Sequence, residues 1–176
     1  MVDPPLLSSE ELFKGKGWRI TLDEAPLPDG RIHKAGRAHR CNSVHILAFP
    51  SKGRVLLLRE FRPFLGTYIW MLPSGKVDKE TDHRIAAMRE LQEETGFASD
   101  ELQYYFTGNY FDRLVAQGHV YVAEKLRKDP LPKDEDEIME VHELPIATAI
   151  ENVLHSAFIH SISALALLRY AREHGI

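Results

Sequence analysis

Three carboxylates set close together are the first candidates for chemistry: Glu90, Glu93 and Glu94, within GKVDKETDHRIAAMRELQEETGF at residues 75–97. The run from Asp82 to Thr95 predicts a helix, and Gly96 follows where a left-handed C-terminal cap is usually found. Positions i, i+3 and i+4 share one helical face, so the three side chains crowd together. Like charges at that spacing destabilise an isolated helix by about 0.2–0.5 kcal/mol per pair. A bound hard cation reverses the sign, because Mg²⁺ prefers carboxylate oxygens shared with substrate phosphates. In most acidic runs the bland reading, a solvated face, is the better one; here the neighbouring residues are too specific for it.

Gly75, Arg89, Glu90, Leu91, Glu93, Glu94, Gly96 and Phe97 all stand at the spacing of G-x5-E-x7-R-E-U-x-E-E-x-G-U, with U a bulky apolar residue. The stretch thereby resembles the Nudix box, a match expected by chance on the order of 10⁻⁸ per window at average residue usage. One position departs. The box has Glu six residues after its first glycine, and this chain has Thr81 there, with Glu80 just before it. That Glu usually pairs with the box arginine, so Arg89 is expected to reach Glu93 on its own helix, or Glu80 after a small loop adjustment. The resemblance implies a catalytic Mg²⁺ or Mn²⁺ site with Glu90 and Glu94 as ligands, joined by Glu93. The carbonyl of Ser74 or Gly75 would add a donor, since glycine lets the chain approach closely. Arg89 would tether the glutamates rather than touch substrate.

The elements that must position these groups follow from the rest of the chain. GWRITLDEA and GRIHKAGRAH read as strands joined by a PLPDG turn. NSVHILAF and RVLLLREF are strands around a PSKG turn, and the unbroken run Val55 to Leu58 suits a strand covered on both faces. TYIWMLPSGKV leads into the helix; ELQYYFTG, HVYVAEKL and EIMEVHELP read as further strands. Two helices close the chain, the last with Phe158, Ile162, Leu165 and Leu168 or Arg169 as its expected apolar stripe. Strands around one mid-chain helix with helices at the end give a layered α/β arrangement. The resemblance implies the same: a Nudix fold, a mixed β-sheet sandwiched between helices (α/β/α). Residues 1–15 are expected to be a lead-in or arm, and 16–176 the domain.

Composition narrows the class. The chain has 176 residues, 44% of them hydrophobic, enough for a sizeable core. The net charge of −4 and the lack of a basic run argue against a nucleic-acid surface. The N-terminus has no signal-peptide pattern and no segment is apolar enough to span a membrane, so a cytoplasmic protein with no membrane partner is expected. Cys41, the only cysteine, is expected to be a buried small hydrophobe. The nine histidines show no metal-binding spacing and read as structural or surface groups.

Outside the box, three segments resemble the ADP-ribose or ADP-sugar pyrophosphatase branch. LLLREFRP is similar to that branch's strand ending in Gln-aromatic-Arg, with Glu60 in place of Gln and Arg62 as the candidate for the substrate pyrophosphate or ribose. IWMLPSGKVD is similar to W-E-L-P-A/S-G; Met71 replaces the Glu, and Trp70 is a candidate base-stacking residue. DEDEIMEVHELP is similar to the acidic loop whose glutamate activates the attacking water, which makes Glu137 the first candidate and Glu135 the second, with Glu93 a third. Asp112 stands where the branch commonly has proline, near the expected position of the substrate's terminal group. The resemblance implies hydrolysis of a nucleotide sugar to a nucleoside monophosphate and a sugar phosphate, and a homodimer embracing through residues 17–40. Two other readings stay open: a hydrolase of modified nucleoside triphosphates, and a non-catalytic sensor, motivated by Thr81.

Overall fold

The computed structural model describes residues 5–79, 82–132 and 138–176. The chain forms two compact units, Met1–Cys41 with Asn109–Gln117, and Asn42–Gly108 with Gly118–Ile176.

In the first unit, β1 (Ser8–Gly15), β2 (Trp18–Pro26) and β3 (Ile32–His39) form an antiparallel meander, and β9 (Leu114–Val115) adds in parallel to β3. The two strands expected around PLPDG are β2 and β3. Part of the expected lead-in is itself a strand: β1 pairs along β2, with a register irregularity between Glu11 and Phe13. Its side chains from Ser8 to Lys14 are all exposed, so apolar patterning could not announce it. The ladder carries it, helped by Ser9 Oγ donating to Asp23 Oδ1 at 2.6 Å. The buried side of β2 is polar: Asp23 also accepts from Arg37 at 3.1 Å, and Thr21 pairs with His39 at 2.9 Å.

The second unit carries the helices. One sheet has the order β7-β4-β10-β8, from β7 (Ser74–Lys76), β4 (Ser43–Ala48), β10 (Gln117–Lys128) and β8 (Phe97–Asn109). It is mixed: β10 runs parallel to β4, and β7 antiparallel. The other is the antiparallel set β11-β5-β6, from β11 (Met139–Pro145), β5 (Arg54–Arg62) and β6 (Thr67–Met71). Val55 to Leu58 are buried without alternation, as expected of a strand covered on both faces. Helix α1 (His83–Thr95) packs on β4 and β7, α2 (Ile146–Leu154) on β5, β6 and β11, and α3 (Ser161–His174) on β4 and α2. Among the described residues, mixed and antiparallel sheets with three helices give the expected α/β class. The main core joins Val44, Ile46 and Tyr121 of the sheet to Ala86, Ala87 and Leu91 of α1.

The chain changes sheets at Leu72 and Pro73. β6 ends at Met71 against β5, and β7 begins at Ser74 against β4. Between them the Pro73 carbonyl accepts from the Ile46 amide at 2.9 Å. This crossing delivers Ser74 and Gly75 to the face of α1.

Two readings of the sequence are corrected. The buried stripe of α3 is Ile162, Ser163, Ala166, Leu167 and Ala171, whereas Phe158, Leu165 and Leu168 are about half exposed. Both stripes obey the 3–4 spacing, and serine and alanine carry too little hydrophobic contrast to mark the true one. Cys41 is a free, half-buried thiol rather than a core residue. Among the described residues, no helix is long and apolar enough to cross a membrane.

Candidate active site

Helix α1 is built to hold its carboxylates in register. Asp82 caps it, accepting from the Arg84 amide at 2.7 Å. Gly96 ends it in the left-handed conformation at φ 77°, its N–H donating to the Gln92 carbonyl. Buried Ala86, Ala87 and Leu91 face the sheet, while Arg89, Glu90, Glu93 and Glu94 flank that face beside the glycine turn.

Each charged group has a defined contact. Arg89 Nη1 lies 2.8 Å from Glu90 Oε1 and 2.6 Å from Glu93 Oε2, and its Nη2 donates to the Lys76 carbonyl at 3.2 Å. The guanidinium thus relieves the like-charge crowding on the helix and ties it to β7; Glu93 is one of the two partners the sequence offered it, the other, Glu80, lying outside the described residues. Glu94 is buried and its Oε2 accepts from the Ser74 amide at 2.7 Å. Glu90 lies directly over Gly75: a Cβ there would sit 1.9 Å from Glu90 Cδ and 2.0 Å from Oε1. Only glycine permits that approach.

The donor chemistry fits a hard divalent cation: carboxylate oxygens beside a glycine backbone. The side chains are not grouped as a ready cage, however. Among the described residues, no set of three or more His, Cys, Asp or Glu groups could hold an ion as placed. Arg89 draws Glu90 and Glu93 toward itself, and Glu94 is turned to the Ser74 amide. The expected ion donor is the carbonyl of Ser74 or Gly75; the Ser74 N–H bond to Glu94 is a separate contact.

Along β5, Arg62 Nη2 lies 3.0 Å from Glu60 Oε2 and 3.0 Å from Met71 Sδ. Glu60 is buried, and Arg62 is partly open. The thioether contact was not foreseen in the sequence, where Met71 looked like a lost polar partner. Trp70 does not join this pair. Paired with Arg59, it lies on the opposite face of β6 from Ile69 and Met71. There its ring meets His142 edge-on at 4.9 Å, and it lines a cavity of about 270 Å³ with Arg59, Tyr68, Asn152 and His155. Asp112 is exposed in the turn before β9, in the unit of the N-terminal strands. Glu135 and Glu137 lie outside the described residues, as do Glu80 and Thr81. Glu140, on β11, accepts from Arg59 at 3.3 Å.

Comparison with known proteins gives the family. The NUDIX domain model matches residues 39–162. The chain therefore belongs to the NUDIX domain family, and is a Nudix pyrophosphohydrolase by that membership and by its relatives. It is 30% identical to an ADP-ribose pyrophosphatase of Bacillus subtilis over 153 residues, 84% of this chain and 81% of the relative. It is also 26% identical to a methanol dehydrogenase activator of Bacillus methanolicus, over 92% of this chain and 89% of the relative. Among solved structures, an ADP compounds hydrolase superposes with a TM-score of 0.79, covering 98% of this chain and 96% of that one. At 22% identity that likeness bears on the fold alone.

Proposed function

We propose that the protein hydrolyses the pyrophosphate of a nucleoside diphosphate sugar of the ADP-ribose type, giving a nucleoside monophosphate and a sugar phosphate. The observation that carries this reading is the close approach of Glu90 to Gly75 beside the Arg89–Glu93 pair. Similarity to an ADP-ribose pyrophosphatase over most of both chains supports the substrate class.

A pyrophosphate resists attack because its anionic oxygens repel a nucleophile, so positioning and charge neutralisation must do most of the catalysis. Glu90, Glu93 and Glu94, with the Ser74 or Gly75 carbonyl, would hold Mg²⁺ or Mn²⁺. When bound, such an ion polarises phosphoryl oxygens and lowers the pKa of water. A glutamate (Glu137, Glu135 or Glu93) takes the proton of the attacking water as its oxygen bonds to one phosphorus in line. The bond from that phosphorus to the bridging oxygen breaks, leaving its electron pair on the departing phosphate. Arg62, held by Glu60 and Met71 with its guanidinium partly open, meets that developing charge. Arg89 keeps Glu90 and Glu93 aligned between turnovers. The protein is a homodimer in this reading; Leu12, Phe13 and Ile32, exposed on the N-terminal strands, support it.

The test is a coupled phosphatase assay on a panel of nucleoside diphosphate sugars, dinucleotides and triphosphates, with Mg²⁺ and with Mn²⁺. Turnover of ADP-ribose or a related sugar is expected. Pyrophosphate release from triphosphates alone would assign the protein to a different substrate class.

A further inference from the structure

β6 is the outer strand of its sheet, paired on one side with β5. Such an edge exposes alternate N–H and C=O groups and needs a partner when covered. Here two serine hydroxyls supply it. Ser156, just past α2, accepts from the Trp70 amide at 3.1 Å, and Ser163, in the first turn of α3, accepts from the Leu72 amide at 3.0 Å. The two amides are two residues apart, the spacing at which an adjoining strand would take them.

The two contacts differ in consequence. Trp70 lies within β6, whereas Leu72 is the residue at which the chain leaves one sheet for the other. Two residues later the Ser74 amide donates to Glu94, and Gly75 follows beneath Glu90. Ser163 is fully buried, and its Oγ is 2.8 Å from His160 Nδ1. Burial first, and then the Arg62 charge, hold His160 down at about 4, so its imidazole is neutral near pH 7. In the Nε2–H tautomer the bare Nδ1 accepts the serine proton, and in either tautomer the serine oxygen keeps a lone pair for the Leu72 amide. His160 is itself fixed, with its ring 5.2 Å from that of His45, whose strand position pairs with Ser74. Ile162 closes the same region: a Cβ on Gly108 would lie 2.7 Å from its Cδ1.

We propose that Ser163, oriented by His160, is a positioning residue for the reaction, fixing the Leu72–Gly75 backbone against the α1 carboxylates from the C-terminal helix. The proposal rests on the hydrolase reading for its kinetic readout, though not for its binding readout. No spacing in the sequence could have shown it, since the pair is separated by 91 residues.

The experiment compares Ser163→Ala with Ser156→Ala in the full chain. Mn²⁺ affinity is measured by electron paramagnetic resonance, Leu72 amide exchange by NMR, and kcat and KM on the preferred nucleotide sugar. For Ser163→Ala we expect Mn²⁺ affinity and kcat to fall about 10-fold, at the low end for residues that orient metal ligands. KM should stay within about twofold, and the Leu72 amide should exchange faster. Ser156→Ala should lose a similar amount of thermal stability while keeping Mn²⁺ affinity. If Ser163→Ala fails to fold, Ser163→Cys, which keeps the size and weakens the acceptor, is read the same way. Equal Mn²⁺ affinities in the two alanine variants would overturn the proposal and leave Ser163 a structural residue. Should the wild type turn over no nucleotide sugar, the hydrolase reading fails on its own, and the Mn²⁺ and exchange results still decide the role of Ser163.

Discussion

Gly75 and Arg89 set what the carboxylates can do. Replacing Gly75 by alanine puts a methyl 1.9 Å from Glu90 Cδ, so either the carboxylate or the β7 backbone must move. Misplacement of about 1 Å at a reacting centre costs about 100-fold in rate. Steady-state kinetics of Gly75→Ala should therefore show kcat/KM reduced by at least about 100-fold, with the far-UV circular dichroism unchanged. Arg89→Lys keeps the charge but loses the fork that spans Glu90, Glu93 and the Lys76 carbonyl. A drop in Mn²⁺ affinity of about 10-fold is expected by titration; an unchanged value would show that charge alone suffices. The approach of Gly75 to α1 and the Arg89–Glu93 pair were legible because the motif fixes residue types at fixed spacing. The face of Trp70 was not, because strand alternation gives two sides without saying which one meets Arg62. Its pairing opposite Arg59, seen only in the register, places it away from Met71.

At the scale of elements, α1 could be bounded from the chain to within a residue, since Asp82 and Gly96 act through local backbone geometry. Asp82→Ala should cost about 1 kcal/mol in urea denaturation, the worth of an N-cap, and leave kcat nearly unchanged. β1 escaped notice for the opposite reason. Ser8 to Lys14 bury no apolar face, and the strand exists because β2 offers it a ladder. The stripe on α3 was misread because Ser163 and the alanines are small, and its larger residues Leu165 and Leu168 point outward. The serine contacts on β6 depend on two helices and a sheet edge meeting, which no local pattern records.

Across the whole molecule, buried histidines link stability to acidity. His160 is held down at about 4, below the 6.5 of an exposed imidazole, first by burial and then by Arg62; His45, fully buried beside it, is lowered too. The unfolded chain therefore takes up a proton on this residue as pH falls through 6.5, while the folded chain does so only near 4. Stability is complete above pH 6.5 and is lost between 6.5 and 4, by about 3 kcal/mol from this group. Denaturant midpoints measured across that window should fall for the wild type and fall less for His160→Gln. His45 keeps some slope in the variant, and parallel curves would show that His160 is not the group responsible.

The proposed role of the α1 carboxylates is to drive hydrolysis of a nucleoside diphosphate sugar. Its most direct measurement is product analysis by ³¹P NMR for wild type, Glu90→Gln and Glu94→Gln, incubated with ADP-ribose across a Mg²⁺ titration. The wild type should release nucleoside monophosphate and sugar phosphate in equal amounts, saturably in Mg²⁺, and both variants should be slower by at least about 100-fold. Undiminished turnover in the variants, or turnover indifferent to the cation, would rule that role out.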